Sequence, residues 1–291
     1  MRIRFWGTRG SLATPGPQTI RYGGNTSCVE LRSDDGTRVV LDAGTGIRPL
    51  GDAVERGLTR LDILLTHLHM DHIQGLGFFE PLFWPELEVH LWGPSSTTQG
   101  LHTRLSRYLS PPLFPVRLAD LPCQLHLHDV TRESRFRIGP LSVVAGLVCH
   151  PGPTVGYRIE GDGATVTYLP DHEPFLGLAE IPGDPDWIPG LCLARDVDLL
   201  IHDAQFSHEE YPRFVGWGHS SIEQSLAFAR AAGVRHLVPF HHDPSHGDPV
   251  LDRLYEEVHK NHALPFALTP AAEGASFELR GAPGVRAAPR C

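Results

Sequence analysis

The chain has 291 residues, 41% hydrophobic and 20% charged, enough to bury a large core and ordinary for a globular protein. Its formal charge of −9 argues against broad, nonspecific nucleic-acid binding, which needs a positive surface. No apolar run approaches the roughly 20 residues that span a bilayer. Residues 1–6 alternate like a strand and lack the apolar core of an export signal, so a cytoplasmic protein with no membrane partner is expected. The five cysteines, at 28, 123, 149, 192 and 291, are scattered without a Cys-x-x-Cys pair. They suggest neither a disulfide framework nor a zinc knuckle.

In chain order, the first motifs are Gly7-Thr8-Arg9-Gly10-Ser11 and Tyr22-Gly23-Gly24-Asn25-Thr26-Ser27, each beside a strand-like run. Glycines let backbone amides approach an anion closely. These loops could hold a phosphate, with Asn25, Thr26 and Ser27 as candidate donors, or could be plain turns. Next, the mostly apolar residues 61–65 read as a buried strand. They lead into Thr66-His67-Leu68-His69-Met70-Asp71-His72. If strand geometry persists, His67 and His69 share a face and can hold one metal ion. Asp71 and His72 sit on the turn beyond, facing a second. A lone histidine is usually a surface or core residue; this spacing of four ligand-type residues points to metal.

Residues 75–115 are rich in proline and aromatics: Phe78, Phe79, Phe83, Trp84, Trp92 and Phe114. They read as a packed loop and helix over the core, with the alternative that some wall a substrate entrance. The strand-like runs 141–148, 164–169 and 236–240 deliver His150, Asp171 and His241 to loops. Gly161-Asp162-Gly163 signals a hairpin turn. Ser220-Ser221-Ile222-Glu223 offers a capping box for a helix over 222–232, with Gly233 as its stop. Residues 281–291, rich in Gly, Pro and Ala, read as a disordered tail.

The motif at 67–72 resembles the His-x-His-x-Asp-His signature of the metallo-β-lactamase-fold hydrolases, and the resemblance runs along most of the chain. His150 falls at the family's third histidine, Asp171 at its bridging aspartate and His241 at its last histidine. The resemblance implies an α+β, four-layer αβ/βα sandwich: two mixed β-sheets face to face, helices outside. It further implies a single domain over 1–280, built of two pseudo-halves, about 1–139 and 140–280, both supplying ligands. Two divalent ions follow, one on His67, His69 and His150, the other on Asp71, His72 and His241, with Asp171 between them. This donor set suits zinc, and also manganese or iron. Position 69 is His, whereas the family's iron-based redox pattern is His-x-Glu-x-Asp, which favours hydrolysis. A metal pair lowers the pKa of bound water toward ~7, so hydroxide bridging the pair would be the nucleophile, with Asp71 in the catalytic set. Asp42, in Leu41-Asp42-Ala43-Gly44-Thr45-Gly46, resembles the family's strand-end aspartate and would support the histidine loop.

Two further motifs narrow the class. His202-Asp203-Ala204-Gln205-Phe206 resembles the His-Glu-Ala-Thr motif of ribonuclease Z, with Asp203 in place of the glutamate. Gly218-His219-Ser220-Ser221 resembles that family's Gly-His-Ser-Thr. The resemblance implies that His219 protonates the leaving oxygen and Asp203 orients it, a role that suits imidazole. The bland alternative makes them a helix-start residue and a strand-end cap. Two departures argue against an RNA substrate. Residues 174–198 are short, proline-rich and acidic (Asp184, Asp186, Asp196, Asp198), with no basic tRNA-gripping arm. The chain also reads His241-His242-Asp243-Pro244-Ser245-His246 where the family has His-Phe-Ser-Pro-Arg-Tyr, so the phosphate-binding arginine is missing. His242 and His246 either line the pocket or cap the loop. The expectation is a phosphodiesterase acting on a small phosphodiester, such as a cyclic nucleotide or cyclic sugar phosphate. A ribonuclease Z-like endonuclease, a lactone or thioester hydrolase and a noncatalytic metal-binding module are the alternatives. A homodimer is compatible with the resemblance.

Overall fold

Side-chain parity along the strands decides which layer each residue enters. In β4 (Arg60–Leu64), Ile63 faces the helices outside the sheet while Leu64 faces the opposite sheet. The same alternation separates Val40 from Leu41 in β3 (Arg38–Leu41). It also separates Leu200 from Ile201 in β11 (Leu199–Asp203). Strands covered on both faces read as near-continuous apolar runs, which is why 61–65 and 236–240 are legible as buried strands. The computed structural model describes residues 1–176 and 187–280. The expected tail at 281–291, and Asp184 and Asp186, lie outside the described residues.

Among the described residues, two mixed sheets of seven strands each form the sandwich. The first contains β1 (Arg2–Gly7), β2 (Cys28–Arg32), β3, β4, β5 (Glu88–Pro94) and β6 (Gln124–Val130), with the short β14 (Ser276–Glu278) on the outer side of β1. The second contains β7 (Arg135–Ile138), β8 (Leu141–Leu147), β9 (Val155–Gly161), β10 (Ala164–Leu169), β11, β12 (His236–Phe240) and β13 (Ala267–Leu268). Each sheet is antiparallel at one end and parallel at the other. β3 through β6 pair in parallel, as do β10 through β13. The change of sheet falls between Val130 and Arg135, and β14 returns to the first sheet after the second is complete.

The layer between the sheets contains Phe5, Leu31, Leu41, Leu64, Tyr157, Val166, Ile201 and Phe240. Each fully buried Leu, Ile, Val or Phe contributes about 1.5–3 kcal/mol of transfer free energy. The helix α1 (Ile47–Ala53) and the segment carrying Leu76, Phe79 and Leu82 cover the first sheet. The second is covered by α4 (Leu191–Ala194), α5 (Ile222–Ala232) and α6 (Asp248–Asn261). This is the expected four-layer αβ/βα arrangement.

The hairpin turn forms as expected, with Asp162 at φ 51° and Gly163 at φ 72° joining β9 to β10. The capping box lies one residue later than the sequence suggests. Ser221 Oγ accepts from Gln224 N, and the Gln224 side chain accepts from Ser221 N. Ser220 is otherwise engaged, donating its hydroxyl to His172 O (2.6 Å) and its amide to Asp203 Oδ1 (3.2 Å). Among the aromatics of 75–115, Phe79, Trp84 and Phe114 enter the core, while Phe78 is exposed.

Candidate metal centre and its acid pair

The candidate functional side chains converge at one rim, where parallel strands end. Asp42 follows β3; Thr66, His67 and His69 follow β4; Asp171 follows β10, Asp203 ends β11 and His241 follows β12. Ligand sites in α/β sheets form at these carboxyl ends because the loops there are free of the ladder. The single turn α2 (Met70–Ile73) turns Asp71 and His72 away from the strand axis.

The expected metal residues come together as two adjoining clusters. His67, His69 and His150 form one, and Asp71, His72, Asp171 and His241 the other; within each, the ligand atoms lie within 4.8 Å of one another. Asp171 stands between them: Oδ1 is 3.8 Å from the Nε2 atoms of both His67 and His150, and Oδ2 is 3.0 Å from His72 Nε2.

The proton placement fits a cation pair. His72 Nδ1 donates to Asp42 Oδ2 (2.8 Å), His241 Nδ1 to Gln205 Oε1 (2.9 Å) and His150 Nδ1 to Gly218 O (2.9 Å). That leaves lone pairs on the opposite nitrogens of the neutral rings. Those nitrogens face one another, His72 Nε2 to His241 Nε2 at 3.3 Å and His150 Nε2 to His69 Nδ1 at 3.2 Å. His67 Nε2 is buried with no hydrogen-bond partner at all. Converging lone pairs repel unless a cation lies among them, so these clusters fit a dinuclear metal site.

Electrostatics point the same way. Burial lowers the pKa of His67, His69 and His150, the last to about 4, so these rings stay neutral and ready to ligate. For His72 burial also lowers the pKa, but the carboxylates Asp171, Asp71 and Asp42 outweigh it and the net shift is upward. A proton on His72 therefore competes with metal, and metal affinity falls as pH falls.

Asp42 is the hub behind the histidine loop. Left-handed backbone at φ 57° aims its carboxylate to accept from Thr66 N (2.7 Å), Thr66 Oγ1 (2.9 Å), Tyr168 OH (3.0 Å) and His72 Nδ1. Asp42→Asn is expected to weaken metal binding about 10–100-fold, read by competition with a chromophoric chelator. An unchanged affinity would remove Asp42 from that role.

The glycine motif at 7–11 packs against the centre from behind. Ser11 N donates to Asp71 Oδ2 (2.7 Å), and any Cβ at Gly10 would collide with the His241 ring. Arg9 is fully buried, donating Nε to Gly23 O (2.7 Å) and Nη1 to the carbonyls of Asp243 and His246. It thereby ties this loop to the one that carries His241. Asn25 is committed to Glu273, with Nδ2 to Oε2 at 3.0 Å, and Thr26 to Thr45. Ser27 is buried with its hydroxyl unpartnered. His242 donates Nε2 to Ala271 O (2.8 Å), and His246 Nε2 lies 2.9 Å from Glu210 Oε1. The polar contacts of these candidate substrate-binding side chains thus run within the scaffold.

Asp203 and His219 do form a pair, with His219 Nδ1 2.7 Å from Asp203 Oδ2. The carboxylate also accepts from the backbone amides of His172, Gln205 and Ser220 (3.0–3.2 Å). Burial opposes a charge on His219, but Asp203's charge and hydrogen bond prevail and push its pKa up to about 9. Its ring stacks on His241 at 4.9 Å and lies 5.0 Å from His150, bordering both clusters.

Glu173, two residues after Asp171, has no signal of its own in the sequence. Buried, it accepts from Tyr211 OH (2.8 Å), Gly216 N (2.9 Å) and Gly218 N (2.8 Å), fixing the loop that presents His219. Gly218 has φ 91°, and a Cβ there would strike the His150 ring. Gln205 is likewise visible in the sequence only as part of a motif, while its role in orienting His241 appears in the structure.

A cleft of about 330 Å³ opens beside His67 and His69. Its walls are mainly apolar (Leu68, Ile73, Leu113, Pro151), with Arg104, Arg107 and Tyr108 also lining it. Residues 75–115 contribute Arg104, Arg107, Tyr108 and Leu113 to this lining, and none of the six aromatics singled out in the sequence.

The family model described as a β-lactamase superfamily domain matches residues 37–242, and the chain belongs to that superfamily as a metal-dependent hydrolase. It is similar to ribonuclease Z of Myxococcus xanthus, 28% identical over 317 aligned positions covering 96% of this chain and 98% of the relative. The metallo-β-lactamase fold protein YhfI of Bacillus subtilis superposes with a TM-score of 0.69 at 18% identity, over 95% of this chain and 99% of that one. The short form of human tRNase Z gives 0.66 at 20% identity, over 96% and 99%. Among the described residues no helix is long and apolar enough to cross a membrane.

Proposed function

We propose that this protein is a dinuclear, zinc-dependent phosphodiesterase acting on a small phosphodiester such as a cyclic nucleotide or cyclic sugar phosphate. The observation that carries this reading is the His219–Asp203 pair, a buried imidazole hydrogen-bonded to a carboxylate at the border of both metal clusters. When bound, the metal pair supplies an activated water and charge stabilisation at phosphorus. The chain's own task is the leaving group. As the P–O bond breaks, His219 gives the proton on Nε2 to the departing oxygen, while Asp203 holds Nδ1 and keeps the ring oriented. Carboxyl esters have the same need for activated water but can expel a stabilised leaving group with less help from an acid.

A small substrate is favoured by the cleft volume, which lies in the range of small-molecule pockets, by the charge of −9 and by the absence of a basic run in 174–198. Arg107 is exposed at the cleft and suits an anionic group carried by the substrate. Arg107→Ala is expected to raise KM for such substrates about tenfold with kcat held, from loss of one charged hydrogen bond. An equal KM in steady-state assays would remove Arg107 from the substrate site.

The second reading, an RNA endonuclease, is supported by the end-to-end similarity to the Myxococcus xanthus ribonuclease Z. Bis(p-nitrophenyl) phosphate, 2′,3′-cyclic nucleotides and a precursor tRNA, assayed with the same metal-quantified protein, separate the two. Turnover of the small diesters with an intact tRNA supports the first; tRNA cleavage with poor use of cyclic nucleotides overturns it.

A further inference from the structure

The rim opposite the metal centre carries a second group of metal-type side chains, on β5 and β6. These strands pair in parallel with His90 opposite His126 and Trp92 opposite His128. Two-residue alternation then places Glu88, His90, His126 and His128 on one face. His90 Nε2 is 2.8 Å from Glu88 Oε1 and His126 Nε2 is 3.6 Å from the same oxygen. The three ligand atoms lie within 4.8 Å of one another.

The rings are held in a continuous stack. His126 lies on His90 (4.8 Å, 20°), His90 on His128 (5.0 Å, 8°), His128 on Trp92 (3.9 Å, 18°) and Trp92 on Phe136 (4.0 Å, 4°). Phe136 belongs to β7, so the stack is anchored in the other sheet. Imidazoles restrained in this way lose little freedom when they ligate.

We propose that Glu88, His90 and His126 form a second binding site for a divalent transition metal, independent of the one at the opposite rim. Two imidazoles and a carboxylate suit zinc, and also copper(II) or nickel(II), more than calcium or magnesium. Glu88 and His126 side chains are 41% and 48% exposed, so water can complete the coordination. The remaining nitrogen of His90 is already placed, with Nδ1 2.8 Å from His128 Nε2. With an ion on His90 Nε2, the ring proton resides on Nδ1 and is donated to His128, the arrangement that orients metal-bound imidazoles. The neighbouring cation, Arg60, is paired with Asp62 through two hydrogen bonds of 2.8 and 3.0 Å, which offsets its charge toward the site. Asp62 pairs with His90 and stands four residues before Thr66, about 13 Å along an extended strand. An ion here therefore shares no ligand with the other centre.

Equilibrium dialysis of the full chain against buffered micromolar free zinc, with metal counted per chain, tests the site. The wild type should hold one zinc more than His126→Gln or Glu88→Gln, and both variants should keep their phosphodiesterase turnover. Copper(II) added to zinc-loaded protein should show nitrogen hyperfine coupling from two imidazoles, reduced to one in His126→Gln. Equal zinc content in the wild type and both variants, or an unchanged copper spectrum, overturns the proposal.

Discussion

Replacing His219 by alanine is expected to lower phosphodiester turnover roughly 10²–10⁴-fold while metal content stays at the wild-type level. The expectation follows from the proposed role: His219 is held by Asp203 through Nδ1 at 2.7 Å, which leaves Nε2 to carry the proton. The loss should depend on the leaving group. A diester that expels p-nitrophenolate needs little protonation, so it should suffer less than one that expels a ribose alkoxide. The pH profile provides a second reading. A general acid must be protonated, so wild-type activity falls as pH rises through its pKa. Asp203 raises that pKa from 6.5 to about 9, and bound cations would pull it back, which places the alkaline limb between those limits. In His219→Ala that limb should vanish. Asp203→Asn should lower kcat as well, since it removes the charge that favours the protonated ring. A His219→Ala variant that keeps full activity on alkoxide-leaving diesters would assign the proton transfer elsewhere.

Chelation should abolish turnover and also lower the thermal midpoint. In the folded chain Asp71 and Asp171 sit beside His67, His72 and His241, and their carboxyl pKa values lie well below the usual range. Burial would raise them, but the neighbouring imidazoles dominate. Without a cation, these groups are left to neutralise one another, and His67 Nε2 has no partner. Metal binds the folded chain in preference to the unfolded one, so it stabilises by about 4 kcal/mol when present at roughly a thousandfold excess over its dissociation constant. Differential scanning fluorimetry with and without chelator measures this directly, and zinc added back should restore both activity and midpoint. A midpoint indifferent to chelation would mean the clusters hold no ion in the folded state.

How legible this centre is in the sequence depends on distance along the chain. His67, His69, Asp71 and His72 are adjacent in sequence, so their spacing alone reveals them. His150, Asp171 and His241 are visible mainly through the family resemblance, by their order and by the strand-like runs that precede them, and the structure brings all of them to one rim. What escapes is whatever depends on register or on loops meeting in space. Glu173 and Gln205 look like ordinary polar residues until the strands carrying Asp171 and Asp203 are paired. The glycine motif at 7–11 has the composition of an anion-binding loop, and only the structure reveals that it packs against Asp71 and His241. Likewise, the Glu88, His90 and His126 cluster exists only because β5 and β6 align His90 with His126. β14 is three residues long, too short for any periodicity to announce its return to the first sheet.

The order in which these strands are laid down has a consequence for synthesis. Six of the seven proposed ligands have been made once Asp171 emerges, but the loop that bears His241 follows β12, and the Arg9 side chain secures that loop through the carbonyls of residues 243 and 246. A ribosome must therefore translate past β12 to residue 246 before the centre can close. Until then the nascent polypeptide carries six proposed ligands without the seventh, so the proposed centre is completed in a single step.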